Sequence, residues 1–136
     1  QYWLFPEPER IAELTVEQLT ALQFTRSKAN YILGLARAVC TGRLDKNELS
    51  QLGSDELENR LLELRGVGPW TAQYVMMKCF RIPWAFPIAD VGLHNALRQQ
   101  LGLAEKPGLD TIRKLAQSWR GWEGYATFYL WRSLIQ

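Results

Sequence analysis

The chain has 136 residues, 47% of them apolar, with a formal charge of +2. That is the size of one domain with enough material for a core, and the charge permits a nucleic-acid partner without requiring one, because the basic residues are scattered. No run approaches the roughly 18 apolar residues of a membrane span, and the start lacks the basic and apolar regions of a signal peptide.

Helical spacing of apolar residues prevails along the chain and no strand alternation competes with it, so the expected fold class is all-α. Residues 1–10, with Pro6 and Pro8, read as a chain entering a fold midway. Thr15 and Gln18 form a capping box that opens a short helix. Ser27 is the expected cap of a second, with Ile32, Leu33, Ala36 and Val39 on its inner face and Gly42 as its stop. A third helix is expected from about Asp55, capped with Glu58, its Leu57, Leu61 and Leu64 stripe running into Leu64-Arg65-Gly66-Val67-Gly68-Pro69-Trp70-Thr71-Ala72.

Two glycines around one apolar residue can present bare backbone N–H groups to an anion, and a helix starting at Pro69 adds its positive dipole end. Such a hairpin suits a phosphate better than a base. A tight interhelical turn without ligand is the alternative at Gly66 and Gly68. The fourth helix is expected over 69–80, with Ala72, Val75, Met76 and Cys79 inward. Cys40 and Cys79, far apart on apolar faces, read as buried small hydrophobes; with one histidine, His94, they offer no zinc or iron–sulfur pattern. Their usage favours an intracellular setting.

Residues 81–89 break the helical pattern at Pro83, Trp84 and Pro87 and deliver Asp90 to a helix start. That helix carries Leu93, Leu97 and Leu101 and ends at Gly102; Lys106-Pro107-Gly108 is a turn. The last helices are expected at 110–119 and 124–135, the second rich in Tyr125, Phe128, Tyr129 and Trp131. Asp90 suits a helix N-cap, a common role for aspartate. It equally suits chemistry, since a fixed carboxylate stabilises positive charge developing on a sugar or deprotonates a water. Trp70 and Tyr74 are an i, i+4 pair that core packing alone would explain, as it would Trp131. His94 reads as a surface or satisfied side chain.

Leu64 to Tyr74, Phe86 to Leu97 and Ser118 to Arg132 together resemble the helix-hairpin-helix (HhH-GPD) DNA glycosylases, in particular the alkylated-base subgroup of the 3-methyladenine DNA glycosylase II type. The resemblance implies a glycosylase-like domain over 1–136, with the hairpin at about 56–80 and the catalytic loop and helix at about 81–101. It implies a monofunctional base excision repair enzyme that flips an alkylated purine (3-methyladenine or 7-methylguanine type) from duplex DNA and hydrolyses its N-glycosidic bond, Asp90 being the catalytic carboxylate. Trp70, Tyr74 and Trp131 would line the base pocket, where electron-rich rings attract a cationic base. Family members that also cut the strand place a lysine where Trp70 stands, and tryptophan forms no Schiff base. Arg65, Gly66, Val67, Gly68 and Lys78 would contact DNA. The carbonyls of Leu62, Leu64 and Val67 would hold a monovalent cation, Na+ or K+; no other cofactor and no iron–sulfur cluster is expected.

The partner implied is damaged double-stranded DNA rather than a membrane, in the cytoplasm and nucleoid of a bacterium or the nucleus of a eukaryote. A non-catalytic helix-hairpin-helix DNA-binding module, with Asp90 only a cap, is the alternative. The chain departs from the family's Trp-Arg-Pro-Trp-Arg-Ser at Trp119-Arg120-Gly121-Trp122-Glu123-Gly124, where Glu123 replaces a basic residue. Family members also carry helices, and often a small β domain, before the region matching Tyr2-Trp3-Leu4-Phe5-Pro6, including the side chain that fills the gap left by the flipped base. The expectation is therefore a partial fold, either a fragment or a chain whose missing half a partner supplies; unless a partner chain supplies those helices, a monomer is expected.

Overall fold

The computed structural model describes residue 2 and residues 4–135; Trp3 of the Tyr2–Pro6 region lies outside the described residues. Among them the regular structure is entirely helical, as the apolar spacing predicts. The chain divides into two compact units, 1–66 and 67–136.

In the first unit, α1 (Pro8–Ala12), α2 (Val16–Ala21) and α3 (Arg26–Cys40) enclose a core of Ile11, Leu19, Ala29, Leu33 and Ala36. The short α1 was not expected; Pro8 at its first position has no N–H to satisfy there and its fixed φ favours a helix start. The box at α2 forms as read: Thr15 Oγ1 accepts from the Gln18 amide and Gln18 Oε1 from the Thr15 amide. The cap of α3 is Thr25, not Ser27, because Thr25 is extended (φ −64°, ψ 152°) and its side chain already accepts from the Lys28 amide. Val39, expected inside, is 40% exposed near the end of α3.

A second unanticipated helix, α4 (Lys46–Leu49), is opened by Asp45 Oδ1, which accepts from the Asn47 and Glu48 amides. Then α5 (Ser54–Leu62) starts from Gly53 with no side-chain cap. The expected Asp55–Glu58 box is absent because Asp55 lies within the first turn, where its charge still complements the helix dipole. Leu57 and Leu61 are buried and Leu64 half-buried.

The second unit holds α6 (Pro69–Lys78), α7 (Val91–Gln100), α8 (Leu109–Ala116), a 3-10 turn at Gln117–Trp119 and α9 (Glu123–Arg132). Its core is Leu93 and Leu97 of α7 with Ile112 of α8; Phe86, Ile88, Leu115, Trp119 and Leu130 pack around it. Leu101 is 47% exposed, since α7 ends one residue earlier. Both cysteines contradict the sequence reading: Cys40 ends α3, Cys79 caps α6, and both are exposed free thiols. Apolar spacing is a poor guide at a helix end, where the last turn outruns the core it packs on. No helix among the described residues is long and apolar enough to cross a membrane.

Candidate active site

The site is built from three parts of the second unit. Helix α6 presents Trp70 and Tyr74 one turn apart, the connector 81–89 leads to Asp90, and α9 brings in Trp131. Leu130, packed against the α7–α8 core, anchors α9 so that the adjacent Trp131 reaches Asp90.

Asp90 caps α7: extended at φ −70°, ψ 125°, it accepts the Leu93 amide on Oδ2 at 2.7 Å. The same oxygen accepts the Trp131 indole N–H at 2.7 Å, and Oδ1 accepts the Trp70 indole N–H at 2.9 Å. The carboxylate thus receives three N–H donors from three helices. Two carboxylate oxygens offer about four acceptor positions, so the open one lies on Oδ1. Capping and display of a fixed carboxylate are therefore one geometry here, not competing ones.

The aromatic residues are not a closed core. Trp70 is 43% exposed, and Tyr74 lies between the two indoles, 5.3 Å centroid to centroid from Trp70 at 26° and 5.8 Å from Trp131 at 36°. Rings 5.3 Å apart leave no room for a base between them. Two clefts of this unit, of about 460 and 320 Å³, are lined by other residues and do not include Asp90.

Three hydrogen bonds that the sequence did not reveal hold the connector. Gln73 Oε1 accepts the Phe86 amide at 2.7 Å, His94 Nε2 donates to the Ile88 carbonyl at 2.7 Å, and the Gly124 amide donates to the Pro83 carbonyl at 2.7 Å. A side chain on Gly124 would meet the carbonyls of Ile82, Pro83 and Ala85 at 3.0–3.2 Å. His94 is thus a satisfied side chain, and it fixes the segment carrying Asp90. No spacing rule signals such contacts, since each joins a helix to an irregular segment.

The hairpin residues divide between the units. In the first, Arg65 is exposed and Gly66 has φ +91°, where an added Cβ would overlap the Tyr31 ring; this glycine is required by packing and backbone alike. In the second, Gly68 caps α6 with open space around its Cα, Val67 is half-buried, and Pro69 opens the helix. No described backbone amide donates to the carbonyl oxygens of Leu62, Leu64 or Val67. Lys78 sits with Nζ 4.7 Å over the Phe128 ring. Glu123 opens α9 and lines the larger cleft with Arg113 and Arg120, one of its carboxylate oxygens being buried without a hydrogen-bond partner.

The model of the HhH-GPD superfamily base excision DNA repair proteins matches residues 1–121. The chain belongs to that superfamily. Among its HhH-GPD relatives, the DNA-3-methyladenine glycosylase of Bacillus subtilis is 44% identical over 98% of this chain and 44% of its own length. DNA-3-methyladenine glycosylase 2 of Escherichia coli is 26% identical over 96% and 43%. The structure of Schizosaccharomyces pombe 3-methyladenine DNA glycosylase in complex with abasic DNA superposes with a TM-score of 0.86 at 26% identity, over 97% of this chain and 65% of that one. A Clostridium acetobutylicum 8-oxoguanine glycosylase/lyase superposes at 0.74 with 25% identity, over 96% and 44%. The chain thus spans under half the length of the curated relatives named here.

Proposed function

We propose that these residues form the catalytic part of a monofunctional DNA glycosylase that hydrolyses the N-glycosidic bond of alkylated purines, of the 3-methyladenine and 7-methylguanine type, in duplex DNA. The observation that carries the reading is Asp90, held at Oδ2 by Leu93 and Trp131 and at Oδ1 by Trp70, with its open lone pair on Oδ1.

A purine alkylated on the ring carries positive charge. When C1′–N breaks, the bond's electron pair goes to the base, which leaves neutral and needs little help from a general acid, unlike the leaving groups that require paired carboxylates. Positive charge then develops on the deoxyribose, where Oδ1 stabilises it and orients the attacking water. Water oxygen bonds to C1′, its proton passes to Oδ1 and then to solvent, and an abasic site remains. The exposed face of Trp70, backed by Tyr74 and beside Trp131, gives the flipped base a stacking surface and its charge a cation–π partner.

Strand cleavage through a Schiff base needs an amine at the sugar. Trp70 has none, and Lys78 lies eight residues along α6, about 12 Å by helical rise, with its ammonium on Phe128. Around Gly68 the α6 N-terminus offers N–H groups and open space to a phosphate. Lys78, at the other end of α6, and Arg65, exposed in the first unit, are further basic side chains for DNA. The unpaired carbonyl oxygens of Leu62 and Leu64 are the neutral, hard donors a monovalent cation takes, and such an ion would supply positive charge toward a phosphate.

The test is release of free base from methylated duplex DNA with no alkali step. Methylated purine released with strands intact supports the reading; strand scission with base release replaces it by a glycosylase/lyase. Salt-sensitive duplex binding without base release leaves a DNA-binding module or an incomplete enzyme, and release on restoring upstream helices separates the two.

A further inference from the structure

Two residues past Asp90, in the first turn of α7, stands Gly92. Its backbone is not left-handed, so no conformational demand explains a glycine there. A Cβ at this position would lie 2.9 Å from Asp90 Oδ2, 3.1 Å from Trp131 Nε1 and 3.2 Å from Trp131 Cδ1. Those are the two ends of the 2.7 Å hydrogen bond between the α9 indole and the carboxylate. By contrast, a Cβ on Gly34 of α3 would meet nothing within 4 Å.

We propose that Gly92 is a positioning residue: its missing side chain is the space through which Trp131 reaches Asp90 and sets the carboxylate's orientation. The inference deepens the glycosylase reading and rests on it for its catalytic consequence, while the positioning itself can be read without activity.

The physical argument lies in what can yield to a methyl group. The obstructing atoms are the far ends of two side chains, not backbone. The backbone of α7 therefore accepts alanine, which suits a helix better than glycine does. The carboxylate and the indole give way instead, by rotating apart. Oδ2 then loses a charge-assisted donor, and Oδ1, on the same rigid group, turns away from the direction in which Trp70 holds it. Damage is thereby confined to the orientation of one functional group.

The experiment compares the chain with its Gly92→Ala and Gly34→Ala variants in three measurements: the indole ¹H–¹⁵N resonance of Trp131, assigned with Trp131→Phe; the thermal midpoint; and single-turnover base release together with duplex binding. Expected for Gly92→Ala are an upfield move of the Trp131 indole proton, as its acceptor is lost, and a midpoint within a few degrees of the parent's with helicity kept, alanine's gain in the helix offsetting part of the lost bond. Base release should be roughly ten- to a hundredfold slower, the loss of one hydrogen bond to a charged group, with duplex affinity unchanged. Gly34→Ala should leave the indole resonance and base release as in the parent. An unmoved Trp131 resonance in Gly92→Ala overturns the proposal. So does a fall in midpoint with loss of helicity, which assigns the glycine to the fold. If the parent itself releases no base even with upstream helices restored, the glycosylase reading fails, and the indole resonance still decides whether Gly92 makes room for the contact.

Discussion

Replacement of Asp90 by asparagine separates the helix cap from the proposed chemistry. Asparagine caps a helix as well as aspartate does, so α7 keeps its start. The amide oxygen takes the Oδ2 position, where it can still accept from Leu93 and Trp131, both at 2.7 Å. The amide NH2 then occupies the Oδ1 position and faces the Trp70 indole N–H at 2.9 Å, donor against donor. Because Trp70 is 43% exposed, water can receive its N–H, and the cost to the fold is that of one net hydrogen bond, about 1 kcal/mol. The chemistry loses far more. In the proposed reaction the charge facing the developing cation is removed, and by comparison with loss of one preorganised transition-state contact the rate should fall about 10²- to 10³-fold, or ~3–4 kcal/mol. The assay is single-turnover release of methylated purine, with anisotropy on the same duplex and a thermal melt as controls. Expected are unchanged affinity, a melt lowered by a few degrees and base release down by two to three decades. Release by Asp90→Asn within threefold of the parent would refute the assignment of the carboxylate to chemistry.

Other outcomes follow from geometry away from the carboxylate. Gly66→Ala forces a left-handed residue and a Cβ into the Tyr31 ring, and should destabilise by at least ~2 kcal/mol in urea titration. Thr15→Ala removes half of the α2 capping box and should cost about 1 kcal/mol, read as a lower denaturation midpoint at unchanged slope. Arg65→Ala should weaken duplex binding similarly across sequences and reduce the slope of log affinity against log salt by about one, measured by titration at several salt concentrations.

The helical class, the capping box at Thr15, the start of α6 at Pro69 and of α7 at Asp90 were all determined by sequence, because each depends on residues within a turn of one another. The same locality made Asp90, Trp70, Tyr74 and Trp131 recognisable as candidates through the motifs around them. Where two local solutions compete, sequence misjudged: Thr25 outcompetes Ser27, and Gly53 precedes the expected box at Asp55. Cys40, Cys79 and Val39 sit on faces that look apolar in one dimension and end in solvent, because helix length past the core is a property of the packing and not of the pattern. What only tertiary structure decided is the site itself. Asp90 lies 20 residues from Trp70 and 41 from Trp131, and the bonds that join them, like those of Gln73, His94 and Gly124 to the connector, have no sequence period. Gly92 belongs to the same class: its role comes from the absence of a side chain where two distant ones meet, and an absence has meaning only once its neighbours are in place.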